Sequence, residues 1–213
     1  MHATTGIYRL KKSLFAAEQL RQDVQDERKR WVKWARLVVR SGRRHRLVFI
    51  DESAITTSMV RLYGWGPRGE RIKDYQTLGS WKTYSLIAAI KSTGWSGSMV
   101  IPGAVNADVF LAYLEQCLLP ELKRGDIVVM DNVSFHHDAR VEDLLSSEGV
   151  QLRHLPPYSP DFTPIENAYS AMKTLLRKLA TRTYKSLVDA IAAIQAATSR
   201  QTCSNYFKAC LNV

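Results

Sequence analysis

The chain has 213 residues, of which 46% are hydrophobic and 23% charged, so it can build one sizeable core, is too short for two full domains, and is neither disordered nor fibrous in composition. Its charge is uneven, because residues 1–46 hold 13 basic and 4 acidic side chains whereas residues 47–213 hold 17 and 16. A basic arm on a nearly neutral body indicates a polyanionic partner, and nucleic acid fits better than a membrane surface because no long apolar segment accompanies the charge.

The basic arm, residues 1–46, is predicted to be helical from about Lys12 to Val39, since apolar residues recur there at helical spacing without an intervening Gly or Pro. Its cations are interleaved with Trp31 and Trp34, a pattern typical of a helix that follows a DNA backbone and links DNA-binding and catalytic modules. A second interpretation remains open, in which the helix packs on the body and keeps a solvated charged face. A membrane-surface helix is the least favoured.

The body, residues 47–200, alternates predicted strands and helices, and residues 201–213 are predicted to be a C-terminal tail. A bent, Gly-rich segment, Tyr63–Gly69, separates the first two strands. Strands first and then alternating helices and strands predict an α/β fold, a mixed sheet flanked by helices, with the basic helical arm at its N-terminus. The predicted strands are 47–50, 70–75, 82–90, 98–101, 127–130 and 150–154, and the further predicted helices are 106–120, 138–147, 164–179 and 186–197.

Two predicted strands share one design, an unbroken apolar run followed by an aspartate. Leu47–Ile50 precedes Asp51, and Ile127–Met130 precedes Asp131. Such runs are typical of parallel strands buried on both faces, and as neighbours they would bring their C-terminal residues within roughly 5 Å. Two carboxylates so close repel each other unless a cation lies between them, and Mg²⁺ or Mn²⁺ prefers such oxygen ligands. Aspartate is also common at turns, so either residue alone indicates little.

A third candidate acid, Glu166, follows a segment, residues 155–164, that contains four prolines. Thr163 suits the cap of the next helix, and Pro164 suits its first position. At about 100° per residue, Lys173 and Arg177 return to the helix face that carries Glu166, so one face offers an acid beside two cations. The alternative is structural, since Thr163 and Glu166 also satisfy a capping box, in which the Glu side chain bonds the backbone of the cap.

Taken together, these segments resemble the DDE transposases of the mariner superfamily, specifically the catalytic domain of bacterial insertion-sequence members. The resemblance runs from about residue 7 to 200, and the 34 residues between Asp131 and Glu166 match the interval between the last two acids of that group. One departure is Thr163, where Asn is usual, and both residues are good caps. The segments that carry the resemblance are 48–53, 63–69, 81–83, 128–132 and the proline-rich run 155–167.

The resemblance implies a ribonuclease H-like fold in which Asp51, Asp131 and Glu166 are catalytic and hold two Mg²⁺ or Mn²⁺ ions, with Asp51 bridging them. Two such ions suit in-line displacement at a phosphodiester, because one activates the attacking water or 3′-hydroxyl and the other stabilises the leaving oxygen. The implied function is metal-dependent DNA strand cleavage at transposon ends and strand transfer to target DNA. A TA target, a homodimer and a place near the bacterial nucleoid are implied with it.

Further residues are assigned on weaker grounds. We expect DNA contacts from cations and one exposed aromatic side chain, each of which has the alternative of a solvated or packing role. Glu52 is expected to point away from the metal site, because successive strand side chains face opposite ways. His136 and His137 are predicted to be surface or capping histidines, with an approach to substrate as the alternative. The candidate DNA-contact residues are Lys173, Arg177, Arg43, Arg44, Arg46, Trp65 and Arg68.

The remaining expectations concern the cellular compartment and the rival functions. No apolar stretch approaches the roughly 18–20 residues of a membrane span, the first residues lack the apolar region of a signal peptide, and three cysteines outside any CxxC pair favour a reducing cytoplasm. Family members begin with a helix-turn-helix region, which we expect to be missing upstream of about Ile7. Two rivals to the transposase therefore stay open: a catalytically idle or regulatory DNA-binding remnant, and a stand-alone ribonuclease H-like nuclease.

Overall fold

The computed structural model describes residues 16–61, 63–75 and 81–211. The strands are β1 (Leu47–Thr56), β2 (Thr83–Lys91), β3 (Gly94–Pro102), β4 (Ile127–Met130) and β5 (Gln151–His154). The helices are α1 (Gln22–Arg40), α2 (Ala107–Tyr113), α3 (Ala139–Ser147), α4 (Pro164–Leu179), α5 (Tyr184–Ala197) and α6 (Arg200–Leu211). Within these ranges, no helix is long and apolar enough to cross a membrane.

One five-stranded sheet in the order β3-β2-β1-β4-β5 forms the centre of the fold. The first three strands form an antiparallel meander, whereas β4 pairs with β1 and β5 pairs with β4 in parallel. The short apolar run of β4 is completely buried because β4 lies inside the sheet, between β1 and β5. The predicted mixed sheet flanked by helices is confirmed.

Two cores lie on opposite faces of this sheet, and alternate residues of β1 enter each of them. Leu47 and Phe49 belong to the core that also contains buried residues of α1, α4, α5 and α6. Val48 and Ile50 belong to the other core, with residues of α2 and α3. Burial on both faces explains why the strand is an unbroken apolar run. Side chains that follow Phe49 at even spacing, including Asp51, therefore face α4.

The helix of the basic arm is packed on the body. Trp31, Ala35 and Val38 of α1 are buried in the first core, while cations occupy the opposite face of the helix. The helix therefore follows the second of our two interpretations, because it packs on the body and keeps a solvated charged face. The start of the predicted helix, residues 12–15, lies outside the described residues.

Two elements differ from the expectations. The strand predicted at residues 70–75 was wrong, because this stretch is exposed and has no strand neighbour, and β2 pairs with β1 and β3. Residues 201–213, predicted to be a tail, include most of α6, and its Phe207 is fully buried against Phe49 at a ring distance of 5.4 Å. The buried residues of α6 are spaced over two turns among polar ones, which made the segment look like a solvated end.

Candidate active site

The parallel pairing of β1 with β4 brings two of the candidate acids together. Phe49 pairs with Val129, on strands about 4.8 Å apart, and two residues further along Asp51 and Asp131 both line one cavity. Asp131 follows the last residue of β4, as predicted. Asp51 is not at a strand end, because β1 continues to Thr56 along its antiparallel partner β2.

Glu166 reaches the same place from the first turn of α4. The hydroxyl of Tyr169 donates a hydrogen bond to the backbone carbonyl of Asp51 at 2.6 Å and so ties α4 to β1. Thr163 precedes the helix without a side-chain cap bond, so the capping box is not formed and Glu166 stays exposed. Asp51, Asp131 and Glu166 line one cavity of about 440 Å³, which is also lined by the proline-rich loop 155–160.

The environment of Asp51 disfavours its charge. Burial raises the pKa of Asp51, and the negative charges of Glu52, Glu166 and Asp131 raise it further, from 3.8 to about 8, although the N–H of Glu52 donates to Oδ1 at 2.8 Å. A cation in the cavity would oppose this shift, since it attracts the ionised carboxylate and offsets the repulsion from the neighbouring acids. The site is therefore electrostatically suited to a positive ion.

Asp131 behaves in the opposite way. Burial acts to raise its pKa, but hydrogen bonds from His136 and from the backbone N–H of Val133 outweigh burial and hold the pKa below its ordinary 3.8. Two neighbouring carboxyl groups thus have pKa values that their surroundings move apart, a pattern typical of functional sites.

The prediction that His136 lies on the surface or caps a helix was wrong. Its ring is completely buried, with Nδ1 2.7 Å from Asp131 Oδ1 and Nε2 3.2 Å from Glu52 Oε1. Burial lowers the pKa of His136, but the two carboxylates raise it more, to about 9. A 3₁₀ turn, Ser134–His137, directs the ring inward. The only sequence signal was the short interval from Asp131, which places a histidine within reach of the acid.

The donor set fits a divalent cation in kind, since three carboxylates on one cavity are the oxygen ligands that Mg²⁺ and Mn²⁺ prefer. Among residues 16–61, 63–75 and 81–211, however, no group of three or more His, Cys, Asp or Glu side chains has a geometry that could hold a metal ion as it stands. Metal binding would therefore require some of the acidic side chains to move closer together.

The candidate DNA-contact residues lie on separate parts of the fold. Lys173 and Arg177 lie on α4, with Arg177 exposed, about two and three turns beyond Glu166. Trp65 and Arg68 are exposed in the segment between β1 and β2. Neither Trp65 nor Arg68 contacts the three acids, and Trp65 is fully exposed.

The cluster Arg43–Arg46 lies before the first residue of β1, at the sheet edge opposite the acids. Arg46 pairs with the buried Asp126 at 3.3 Å, and Arg44 donates to Ser204 at 3.5 Å, whereas Arg43 is exposed. Asp51 lies five residue steps beyond Arg46 along the extended chain, which corresponds to about 16 Å. The Arg46 side chain is thus engaged inside the fold.

The fold resembles solved structures of Mos1 transposase. The Mos1 paired-end complex with the left transposon end matches with a TM-score of 0.77 and 17% identity, over 98% of this chain and 65% of that one. The Mos1 strand transfer complex matches with a TM-score of 0.76 and 20% identity, over 98% and 64%. The catalytic domain of Mos1 mariner transposase matches with a TM-score of 0.67 and 19% identity, over 91% of both chains.

These likenesses establish the fold, a mixed sheet of the ribonuclease H-like type found in that catalytic domain. The chain spans about two thirds of the length of Mos1 in the complexes. No curated protein sequence matches it. A family model described as DDE superfamily endonuclease matches residues 46–188, which is most of the chain and includes Asp51, Asp131 and Glu166. The chain belongs to the family of DDE superfamily endonucleases.

Proposed function

We propose that the chain is the catalytic domain of a DNA transposase, which cuts DNA strands at transposon ends and joins the freed 3′ ends to target DNA. The observation that carries the proposal is the convergence of Asp51, Asp131 and Glu166 on one cavity, from β1, β4 and α4. Family membership supports phosphodiester cleavage. The structural likeness to Mos1 in paired-end and strand transfer complexes supports DNA ends and target DNA as substrates.

Asp51, Asp131 and Glu166 would hold two divalent ions, Mg²⁺ or Mn²⁺, the ions present in two of the Mos1 complexes. Such ions, when bound, would lower the pKa of the attacking water or 3′-hydroxyl and stabilise the leaving oxygen. The protein contributes backbone positions that bring the acids to one cavity. Asp51 lies inside the central strand, Asp131 has one oxygen held by hydrogen bonds, and Glu166 lies in the first turn of a helix whose entry is restricted by Pro164.

Contacts with the DNA backbone are proposed for the predicted residues that remain available on the surface. Lys173 and Arg177 are the best placed, because they extend from the helix that carries Glu166. Arg43, Arg44, Trp65 and Arg68 would contact DNA further from the acids, since they lie on other segments. Arg46 is the least suited, because its guanidinium already pairs with Asp126.

The finer features of the reaction follow from the resemblance to bacterial insertion-sequence transposases. We propose a TA target, a homodimer that holds two transposon ends, and action on DNA of the bacterial nucleoid. Cys117, Cys203 and Cys210 are free thiols, which supports a reducing compartment.

A nicking assay tests the proposal. Supercoiled plasmid incubated with the protein and Mg²⁺ or Mn²⁺ should be converted to the open circle, and Asp131→Ala should reduce the rate to background because one ligand is removed. Asp189→Ala removes an exposed carboxylate on α5 and should leave the rate unchanged. Equal rates for wild type and Asp131→Ala would contradict the proposal.

A second assay separates the transposase from its rivals. A duplex with a pre-cut transposon end and a target containing TA should yield joined products with the transposase, whereas a stand-alone nuclease would cut an RNA–DNA hybrid and join nothing. A wild-type protein that binds DNA but neither cuts nor joins it would support the regulatory remnant.

A further inference from the structure

One completely buried side chain beside the cavity has no part in holding a cation, yet both of its polar atoms contact acids. The His136 ring packs between Phe110, at a centroid distance of 4.5 Å, and Phe135, at 4.6 Å in an edge-on arrangement. Its Nδ1 lies 2.7 Å from Asp131 Oδ1, and its Nε2 lies 3.2 Å from Glu52 Oε1. Aromatic packing restricts the ring, and the two hydrogen bonds set its orientation.

The consequence is greatest for Asp131. Its Oδ1 accepts from His136 and also from the backbone N–H of Val133 at 3.1 Å. Within the described part of the chain, Oδ2 has no protein hydrogen-bond donor. The two oxygens of one carboxylate are therefore different, with one anchored in protein and the other free.

The side chain of Asp131 is less restricted by its surroundings than that of Asp51, so an anchoring hydrogen bond matters more for Asp131. Asp51 lies inside β1, which is paired on both sides, whereas Asp131 is the first residue after β4 and its side chain is 46% exposed. An exposed side chain on a loop loses rotamer freedom when it binds a ligand, and that loss weakens binding. A hydrogen bond that already selects the rotamer reduces the loss, as do the partners that orient metal ligands generally.

We infer that His136 is a positioning residue, which holds Asp131 Oδ1 so that Oδ2 is available to the cation, and that Glu52 fixes the His136 ring from the other side of the sheet. The inference rests on the proposed function, in which Asp131 is a cation ligand. It gives Glu52, the acid that follows Asp51, a supporting task on the opposite face. His136 acts through Asp131 and touches neither cation nor DNA.

Two substitutions of His136 separate its two hydrogen bonds. In His136→Asn the amide nitrogen lies near the former Nδ1 and can still donate to Asp131. In His136→Gln the amide nitrogen lies near the former Nε2 and can reach only Glu52. Both variants remove the ring from its contacts with Phe110 and Phe135, so both should lose thermal stability. Only the Gln variant should lose the anchor of Asp131.

Mn²⁺ affinity of the full chain, measured by calorimetry or electron paramagnetic resonance, is the discriminating quantity. We expect His136→Gln to bind Mn²⁺ about 10- to 100-fold more weakly than wild type, the usual effect of removing a partner that orients a metal ligand. His136→Asn should retain most of the affinity. Phe135→Leu, which removes packing on the ring without removing a hydrogen bond, should lower the melting temperature and leave Mn²⁺ affinity near that of wild type.

The outcomes are distinguishable from a failure of the proposed function. If Asp131→Ala abolishes Mn²⁺ binding while His136→Asn and His136→Gln weaken it equally, or while Phe135→Leu weakens it as much, the ring has only a packing role and the inference is overturned. If wild type and Asp131→Ala bind Mn²⁺ alike, the proposed metal site fails, and the positioning role fails with it.

Discussion

At the level of single residues, the three acids have different surroundings. Asp51 is held in the central strand with a pKa raised to about 8, chiefly by burial. Asp131 stays ionised because His136 and a backbone N–H bond it, and Glu166 is exposed at a helix start. Without a cation, keeping Asp51 in this environment costs stability, and the cost grows as the pH rises from 3.8 to about 8.

Asp51→Asn isolates this cost. A carboxyl group whose pKa is raised on folding is bound to its proton more tightly in the folded state, so its stabilising effect is full below 3.8 and is lost as the pH rises to about 8. In a chelating buffer, the variant should therefore gain stability relative to wild type by an amount that grows with pH across this window. Thermal unfolding at several pH values measures the difference.

Addition of Mg²⁺ completes the Asp51 experiment. Mg²⁺ should stabilise wild type and have much less effect on Asp51→Asn, which lacks the buried charge. Asp189→Asn, an exposed substitution, should follow wild type at every pH. A stability difference between wild type and Asp51→Asn that does not vary with pH would show that burial does not penalise the ionised carboxylate.

At the level of helices and strands, α1 supports the loop that leads to Glu166. Arg28 of α1 donates to Ser159 Oγ at 2.7 Å and to both carboxylate oxygens of Asp161 at 3.0 and 2.6 Å, and its guanidinium lies 4.2 Å from the centre of the Phe162 ring. A bidentate contact of this kind restricts the orientation of the two side chains as well as their distance. The helix of the basic arm thus helps to hold one wall of the cavity.

Arg28→Ala should loosen that wall. We expect a loss of about 1.5–3 kcal/mol in unfolding free energy, the usual range for hydrogen bonds to charged groups, together with a lower nicking rate and faster proteolysis within residues 156–163. Arg28→Lys keeps the charge without the planar fork and should be intermediate. Lys208→Ala, an exposed substitution on α6, serves as the control. An Arg28→Ala variant with unchanged nicking rate and proteolysis would show that α1 does not support the loop.

Across the molecule as a whole, the basic surplus divides into internal and external charges. Arg28 and Arg46 are engaged with Asp161 and Asp126, so they contribute little free positive charge. Other cations of α1 remain exposed on the side away from the core, namely Lys33, Arg36 and Arg40. These exposed charges are the part of the basic arm that suits a DNA backbone.

Replacing Lys33, Arg36 and Arg40 together by Gln should weaken DNA binding. The slope of log affinity against log salt should decrease by about 0.9 for each DNA phosphate that the variant no longer neutralises, because fewer counterions are released on binding. Mn²⁺ affinity should not change, since these residues do not line the cavity of the acids. Fluorescence anisotropy with labelled duplex at several salt concentrations measures the slope.

A matched control removes the same charge elsewhere, by replacing the exposed Lys123, Lys185 and Lys208 with Gln. If this control lowers the affinity and the slope as much as the α1 variant, net charge governs binding and α1 has no special part in it.

Local patterns in the chain were sufficient for most elements, whereas the choice of acids rested on the resemblance to a family. β1 and β4 were recognised as continuous apolar runs, since strands buried on both faces need apolar residues throughout. The interval from Asp131 to Glu166 and the proline-rich segment indicated a family before any geometry was known. The helix α6 was missed and the strand at 70–75 was wrongly predicted for the same reason. Whether Phe207 is buried and whether residues 70–75 are exposed depend on parts of the chain that are distant in sequence.

The fold class follows from periodicity along the chain, whereas the family and the three candidate acids were indicated by the resemblance of its motifs to those of DDE transposases. The groups that surround and support these acids became visible only in three dimensions. The contacts of His136 with Asp131 and Glu52, and of Arg28 with Asp161, join residues up to 133 positions apart in the chain. Such contacts depend on which elements pack together and which face each side chain takes, and neither leaves a local pattern.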